Sequence, residues 1–301
     1  VGIDGVQLFR LVGVGGRLSR DAVGGRGDLA EVVTSGLDLV ASLGGVPVFR
    51  RPFASVLFDC IHVPSPADLG ADGSPRWAEA FDALAALLAR DGDQIAGLVL
   101  EPIVQGAAGM RVYPPAYVRA AGELCTQHDV LLILDEVFTG YGRLGTMWAS
   151  DLAGISPDLT CVGKGFTGGV LPMAATLATR RVLEAFAGGR ARALLHGHSY
   201  CGNPLGAAVA REVLAIYRED DVVGGVAERS AKMSACLERL KNSHPTSRIV
   251  RNTRCLGMVA AVELSAPPQG TRGRGSPLGV ATAESAEDMS NTGYEASIGW
   301  W

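Results

Sequence analysis

Long apolar runs are missing from this sequence of 301 residues. None of its runs approaches the roughly 20 residues that a membrane-spanning helix needs. Cysteine is scarce, and the six cysteines are scattered without the CxxC spacing of a zinc site or a redox pair. The chain also lacks a basic stripe, and its formal net charge is −4. We therefore expect a soluble protein with reduced thiols that binds neither membranes nor nucleic acid.

Phosphate-loop motifs are missing as well. The segment from Gly13 to Gly16 has neither the GxxxxGK[ST] spacing nor a GxGxxG fingerprint, so we expect a loop there. Residues 1–50 as a whole are glycine-rich and show no sustained period. Within residues 1–30, four arginines and no lysine suggest a transit peptide, but three aspartates and little serine argue against one. The expected location is mitochondrial or cytoplasmic.

The rest of the sequence alternates between short apolar runs and helical periodicity. Branched apolar runs predict strands, and apolar residues three and four apart predict helices. The predicted strands are 54–63, 95–100, 130–134, 159–162 and 171–179, and the predicted helices are 77–90, 114–128, 180–188, 204–217 and 223–241. This alternation predicts an α/β fold with a mainly parallel sheet and right-handed crossovers.

Ionisable residues follow two of these predicted strands. Asp135 and Glu136 come directly after the run 130–134, and Lys164 follows the run 159–162 between two glycines. Ligands of open α/β sheets bind at the carboxyl ends of the strands. The sequence therefore predicts that an acid, Asp135, and a base, Lys164, face one crevice.

Each of these residues also has a plainer interpretation. A lone Asp after a strand is usually a turn or cap residue, and a lone Lys between glycines is usually on the surface. The segment LLILDE also fits the metal site of an ATPase, but that site needs an upstream GK[ST] loop, which the sequence lacks. His196 and His198 are spaced like a metal pair, but no third ligand is apparent, so we expect structural histidines and no metal.

Four motifs in order resemble the class III (fold type I) pyridoxal-phosphate aminotransferases. The resemblance covers about residues 52–264. The motifs are EPIVQGAAGM at 101–110, DEVFTGYGR at 135–143, GKGFTGG at 163–169 and HGHSYCGNP at 196–204. The resemblance implies a large domain that binds pyridoxal 5′-phosphate at 51–243 and the start of a small C-terminal domain at 244–264. Residues 1–50 stay unassigned, and 265–301, rich in Pro, Gly and Ser, is expected to be a disordered tail.

The resemblance also implies roles for four residues. Lys164 would hold the cofactor covalently and move the substrate proton. Asp135 would pair with the pyridine nitrogen, which keeps the ring electron-accepting. Val137 would pack on the ring face. Ser199 would reach the phosphate of the cofactor in the neighbouring subunit of a homodimer.

Within the family, the motifs most resemble the branch that makes 7,8-diaminononanoate from 8-amino-7-oxononanoate in biotin synthesis. Ala107 stands where relatives acting on ω-amino acids commonly have Glu. Segments 175–179 and 194–199 resemble the eukaryotic form, which is often fused to dethiobiotin synthetase. The branch implies a small amino donor, S-adenosylmethionine, and a keto acceptor.

Three family features cannot be placed in this sequence. They are a Gly-Ser-rich phosphate turn, a Tyr-His-Gly segment and the arginine that binds the substrate carboxylate. Two alternatives therefore stay open beside the main expectation. One is another class III aminotransferase, and the other is a truncated, non-catalytic homologue that pairs with a complete subunit.

Overall fold

Six strands form the central sheet in a computed structural model that describes residues 6–10, 43, 60–69, 76–190, 192–194, 197–243, 249–265 and 297–299. The sheet has the order β2-β1-β3-β6-β7-β8. Its strands are β1 (Val6–Arg10), β2 (Cys60–Val63), β3 (Ile95–Leu100), β6 (Leu131–Asp135), β7 (Leu159–Val162) and β8 (Ala175–Ala178). Two further strands, β4 (Val104–Gln105) and β5 (Arg111–Val112), form a separate antiparallel pair.

The α/β prediction is confirmed. The neighbours β3, β6 and β7 are parallel, whereas β1 and β8 run antiparallel to the strands beside them. Four of the six strands therefore point the same way. The helices are α1 (Trp77–Asp91), α2 (Pro115–His128), α3 (Ala149–Ala153), α4 (Arg180–Ala185), α5 (Pro204–Glu219) and α6 (Val226–Asn242). Short 3-10 turns occupy Gly92–Gln94 and Lys164–Thr167.

The core lies between the sheet and helices α1 and α2. Leu98 and Leu134 of the sheet are fully buried against Leu84 of α1 and Tyr117 of α2. Alternate strand residues point the other way, and Val99 packs in a second cluster on the opposite face. Alternation with a period of two buries both faces of the central strands, which explains their unbroken apolar runs.

Strand β1 was not predicted, because residues 1–50 lack a sustained pattern. Val6–Arg10 nevertheless pairs with both β2 and β3. Its five residues, VQLFR, form no continuous apolar run, and its pairing partners are distant in sequence. The remaining predictions for residues 1–50, including the loop at Gly13–Gly16, lie outside the described residues, apart from Leu43.

A second sheet has three strands in the order β11-β10-β9. Its strands are β9 (Val250–Leu256), β10 (Val259–Leu264) and β11 (Ser297–Gly299). The last of these departs from the disordered tail predicted for 265–301, since Ser297–Gly299 pairs with β10. Residues 266–296, 300 and 301 lie outside the described residues. None of the helices in the described ranges is long and apolar enough to cross a membrane.

Candidate active site

Three charged residues meet at the carboxyl ends of neighbouring parallel strands. Glu101 directly follows β3, Asp135 ends β6, and Lys164 comes two residues after β7. Because β3 pairs with β6 and β6 pairs with β7 in parallel, these ends share one edge of the sheet. The structure thus brings Asp135 and Lys164 together, as the strand pattern predicted.

Asp135 is held in a turn of its own making. Its Oδ1 accepts a hydrogen bond from the backbone N–H of Val137 at 3.0 Å. Burial raises the pKa of the Asp135 carboxyl, while the Val137 N–H and the charge of Lys164 act to lower the pKa. A cation that approaches Asp135 would therefore lower the pKa of this carboxyl group.

Lys164 begins a tight turn and adopts an unusual backbone conformation. Its φ is +44°, in the left-handed region that L-residues seldom adopt. The turn closes with a hydrogen bond from the N–H of Phe166 to the carbonyl oxygen of Gly163 at 2.9 Å. Strained backbone of this kind costs about 1–3 kcal/mol and is concentrated at functional sites.

The Lys164 amine has a perturbed environment. Burial lowers its pKa, and Arg143 lowers it further, while the charges of Asp135 and Glu101 raise it. The residue nonetheless keeps an accessible surface. A lysine with a lowered pKa is more often neutral, which is the form that acts as a nucleophile or a base.

Apolar side chains line the space beside Lys164. A Cβ placed on Gly163 would lie 3.4 Å from Cγ1 of Val137, so Val137 packs beside the residue that precedes Lys164. The Nζ of Lys164 lies 5.7 Å from the centre of the Phe138 ring. Val137 and Phe138 thus place apolar surface next to Gly163 and Lys164.

Glu101 also belongs to the site, although the sequence pattern assigns it no role of its own. Its side chain is buried, and Oε2 accepts a hydrogen bond from the N–H of Gly106 at 2.9 Å. The Phe138 ring would contact a Cβ on Gly106 at 3.2 Å. The signal that could have identified Glu101 was its position, since it follows a buried strand just as Asp135 ends one.

Arg143 is the second site residue that the sequence reasoning missed. Its Nε donates to the carbonyl oxygen of Phe138 at 2.6 Å, and its guanidinium lies 5.0 Å from the centre of the Phe138 ring. Burial lowers the pKa of this guanidinium. Phe138 is therefore contacted by two cationic side chains, Arg143 and Lys164.

Glu136 stabilises the loop that follows β6. Its buried carboxylate accepts hydrogen bonds from the N–H groups of Ala149 (3.0 Å) and Ser150 (2.9 Å) and from the Thr139 hydroxyl (2.7 Å). These bonds tie the loop after β6 to the first turn of α3. A carboxylate engaged in this way does not fit the ATPase alternative, in which it would serve a metal site.

His198 belongs to no metal site among the described residues, where no group of three His, Cys, Asp or Glu side chains could hold a metal ion. Nδ1 of His198 instead accepts a hydrogen bond from the N–H of Tyr200 at 3.1 Å. His196 lies outside the described residues.

Ser199 lies in an exposed turn, away from the contacts of Asp135 and Lys164 described above. Its predicted role at a neighbouring subunit stays a prediction. Two glycines follow the turn at Lys164–Thr167. Gly168 has φ +58° and Gly169 has φ +81°, and glycine adopts these left-handed conformations without steric strain. The Thr167 hydroxyl donates to the carbonyl oxygen of Leu171 at 2.5 Å, which is a structural role.

Residues 39–290 match the family model described as "Aminotransferase class-III". This range extends beyond the 52–264 over which the motifs were recognised. Among curated proteins, the adenosylmethionine-8-amino-7-oxononanoate aminotransferase of Geobacter sulfurreducens is 39% identical over 230 residues, which are 74% of this chain and 50% of that protein. The enzyme of the same name from Mycobacterium leprae is 44% identical over 167 residues, 56% of this chain and 38% of that protein.

Solved structures of aminotransferases are also similar to this chain. The adenosylmethionine-8-amino-7-oxononanoate aminotransferase of Methanocaldococcus jannaschii superposes with a TM-score of 0.66 and 32% identity, covering 74% of this chain and 49% of that one. The ornithine aminotransferase of Toxoplasma gondii superposes with a TM-score of 0.62 and 28% identity, covering 75% and 48%. This chain spans about half the length of the curated relatives it matches.

Proposed function

Because the chain belongs to the class III aminotransferase family, we propose that it carries the catalytic site of an amino-transfer enzyme. The proposed reaction converts 8-amino-7-oxononanoate to 7,8-diaminononanoate in biotin synthesis. The observation that carries the proposal is the position of Asp135 and Lys164 at neighbouring strand ends, where the charge of each acts on the pKa of the other. The named relatives favour this substrate, since they share 34–44% identity with the chain.

The residues present fit pyridoxal 5′-phosphate. A cationic pyridine nitrogen needs a carboxylate, and Asp135 offers one whose pKa burial raises and a nearby positive charge lowers. The cofactor aldehyde needs a lysine, and Lys164 keeps an accessible surface and a lowered pKa. The flat ring needs an apolar surface, which Val137 supplies. When bound, the cofactor supplies an electron sink for the carbanion formed at the substrate carbon.

Lys164 would then perform two tasks. Its amine holds the cofactor before the substrate arrives, and once released it moves a proton to and from the substrate carbon. The lowered pKa favours both tasks, since each begins from a neutral amine. Glu101 and Asp135 limit this lowering, because their negative charges favour the protonated amine.

The proposed partners follow from the family branch. S-adenosylmethionine would be the amino donor and 8-amino-7-oxononanoate the keto acceptor. We also propose a homodimer, in which Ser199 donates its hydroxyl to the phosphate of the cofactor in the other subunit. The exposure of Ser199 supports this proposal, because a buried hydroxyl could not serve a neighbour. The link to a eukaryotic fusion with dethiobiotin synthetase stays a prediction.

The test is product formation by the purified chain. The chain is supplied with pyridoxal phosphate, 8-amino-7-oxononanoate and S-adenosylmethionine, and 7,8-diaminononanoate is measured by mass spectrometry. Ornithine and 4-aminobutyrate serve as competing donors. We expect the wild-type chain to form product from 8-amino-7-oxononanoate and S-adenosylmethionine. The rate of product formation should fall about 100-fold or more in Asp135→Asn, as it does when a group that stabilises developing charge is removed. Consumption of ornithine or 4-aminobutyrate without formation of 7,8-diaminononanoate would favour another class III activity.

A further inference from the structure

Tyr141 has a strained backbone conformation and packs against the turn at Lys164–Thr167. Its φ is +57°, which is rare for an aromatic residue, and its side chain is buried. The ring makes edge-to-face contacts with Trp148 at 5.3 Å, Tyr217 at 5.9 Å and Phe166 at 6.1 Å between centroids. Such pairs contribute about 0.5–1.5 kcal/mol each beyond their burial, so the cluster can offset the strain.

The Tyr141 side chain packs against the backbone that carries Lys164. A Cβ placed on Gly165, the residue after Lys164, would lie only 2.8 Å from Cβ of Tyr141. Real Cβ atoms do not approach so closely, so Gly165 must remain glycine while Tyr141 stays in place. The position of Tyr141 therefore limits where the turn of Lys164 can lie.

Tyr217 of helix α5 holds Tyr141 in this position. Its hydroxyl donates to the carbonyl oxygen of Tyr141 at 3.0 Å. That carbonyl belongs to the peptide between Tyr141 and Gly142, whose φ is +76°. The ring of Tyr217 also lies against Gly142, since a Cβ there would be 3.6 Å from Cε1 of Tyr217. One side chain thus fixes the peptide that joins two left-handed residues.

We propose that Tyr217 is a positioning residue for Lys164, acting through its hydrogen bond to Tyr141 and the contact of Tyr141 with Gly165. No hydrogen bond or ring contact joins Tyr217 to Asp135 or Lys164 among the described residues, and of the site residues Tyr217 acts directly on Arg143. Its effect reaches the amine because the lysine turn packs on Tyr141. The inference rests on the proposed role of Lys164, but its test needs neither cofactor nor substrate.

The chain itself provides a suitable probe. It contains only three lysines, Lys164, Lys232 and Lys241, so chemical labelling can be assigned peptide by peptide. The two lysines on α6 serve as internal references. Asp135, Glu101 and Arg143 are the charged groups that act on the Lys164 amine. Tyr217→Phe keeps all three side chains, and of the three it removes a direct influence only on Arg143, whose pKa Tyr217 raises.

The experiment measures the labelling rate of Lys164 by acetic anhydride as a function of pH. The full chain is first treated with hydroxylamine to remove any bound aldehyde, and a cooperative thermal transition establishes that each variant is folded. Tyr217→Phe removes only the hydroxyl. A looser turn admits water and weakens the burial that lowers the pKa, so less neutral amine is present at pH 8. We expect Lys164 to label roughly 2- to 10-fold more slowly there, the range that loss of one hydrogen bond can produce.

Tyr117→Phe is the matched control. Tyr117 is fully buried, and its hydroxyl has no hydrogen-bond partner among the described residues. The same chemical change there should leave the labelling of Lys164 unaltered. A change in Tyr217→Phe alone supports the proposal, whereas equal rates in wild type and Tyr217→Phe overturn it.

A second variant covers the case in which Tyr217→Phe does not fold. Gly165→Ala forces Tyr141 and the lysine turn apart, because the new Cβ meets Tyr141. It should slow the labelling of Lys164 in the same direction. A folded Gly165→Ala protein with wild-type labelling would also overturn the proposal. Failure of the proposed amino transfer would not affect these rates, so the two failures are distinguishable.

Discussion

The backbone N–H of Met258 donates to the carbonyl oxygen of Arg143 at 2.7 Å. This bond joins the turn between β9 and β10 to the end of the loop that begins at Asp135. The neighbouring residue, Gly257, has φ +58° and lies so close to this loop that a Cβ would be 2.7 Å from Cα of Leu144. The turn between β9 and β10 therefore packs against the loop that carries Arg143 and holds that loop in place.

Gly257→Ala should destabilise the fold, because the new methyl group collides with the loop at Arg143 and Leu144. The left-handed conformation alone costs about 1–2 kcal/mol for a non-glycine residue, and overpacking adds about 1–3 kcal/mol. The free energy of unfolding in urea measures the sum. Gly189→Ala is the control, since Gly189 has φ +99° and a Cβ there would meet nothing within 4 Å. Equal losses in the two variants would contradict the close approach.

Arg254→Lys should loosen the turn after β4. The Arg254 side chain donates to the carbonyl oxygens of Gly109 (2.7 Å) and Met110 (3.1 Å) and pairs with Glu263. Lysine cannot reproduce this forked geometry. We expect a loss of about 1.5–3 kcal/mol, as for hydrogen bonds that involve a charged group.

Arg90→Lys is the control for this measurement. Arg90 is exposed and pairs only with the adjacent Asp91 in the contacts described, so the same change there should cost less than about 0.5 kcal/mol. Both values come from urea unfolding. If Arg254→Lys lost no more stability than Arg90→Lys, the hydrogen bonds of the Arg254 guanidinium would not stabilise the fold.

Glu101→Gln should lower the pKa of Lys164 further. The negative charge of Glu101 favours the protonated amine, and removing it favours the neutral form. Glutamine keeps an oxygen that can accept from Gly106. The labelling of Lys164 should therefore begin at lower pH in the variant, opposite in sign to Tyr217→Phe. Glu123→Gln, at an exposed position on α2, provides the control. A midpoint that stays or rises would remove Glu101 from the electrostatic environment of the amine.

The local sequence pattern predicted the central elements well. The runs 95–100 and 159–162 match β3 and β7, and the helical spacing from Trp77 matches α1 to within one residue. Both kinds of pattern arise from burial, which repeats along the chain. The runs 130–134 and 159–162 likewise located Asp135 and Lys164 at one edge, because the carboxyl ends of neighbouring parallel strands lie together.

The long-range contacts that support the site could not be predicted, because a single contact produces no repeating pattern in the sequence. Arg254 binds the carbonyl of Gly109, which is 145 positions away in sequence. Tyr217 resembles any other apolar position on the buried side of α5, yet its hydroxyl reaches Tyr141. Such partners follow from the packing of complete elements. Strand β1 escaped prediction for the same reason, since its order comes from pairing with β2 and β3.

Covalent capture of the cofactor on Lys164 tests the central claim most directly. The purified chain is mixed with pyridoxal phosphate and reduced with borohydride, and the modified peptide is identified by mass spectrometry. We predict visible absorbance before reduction, one pyridoxyl group on Lys164 afterwards, and neither in Lys164→Ala, while Lys232→Ala behaves as wild type. A folded wild-type chain that acquires no label on Lys164, or a Lys164→Ala protein labelled to the same extent, would contradict the proposed site.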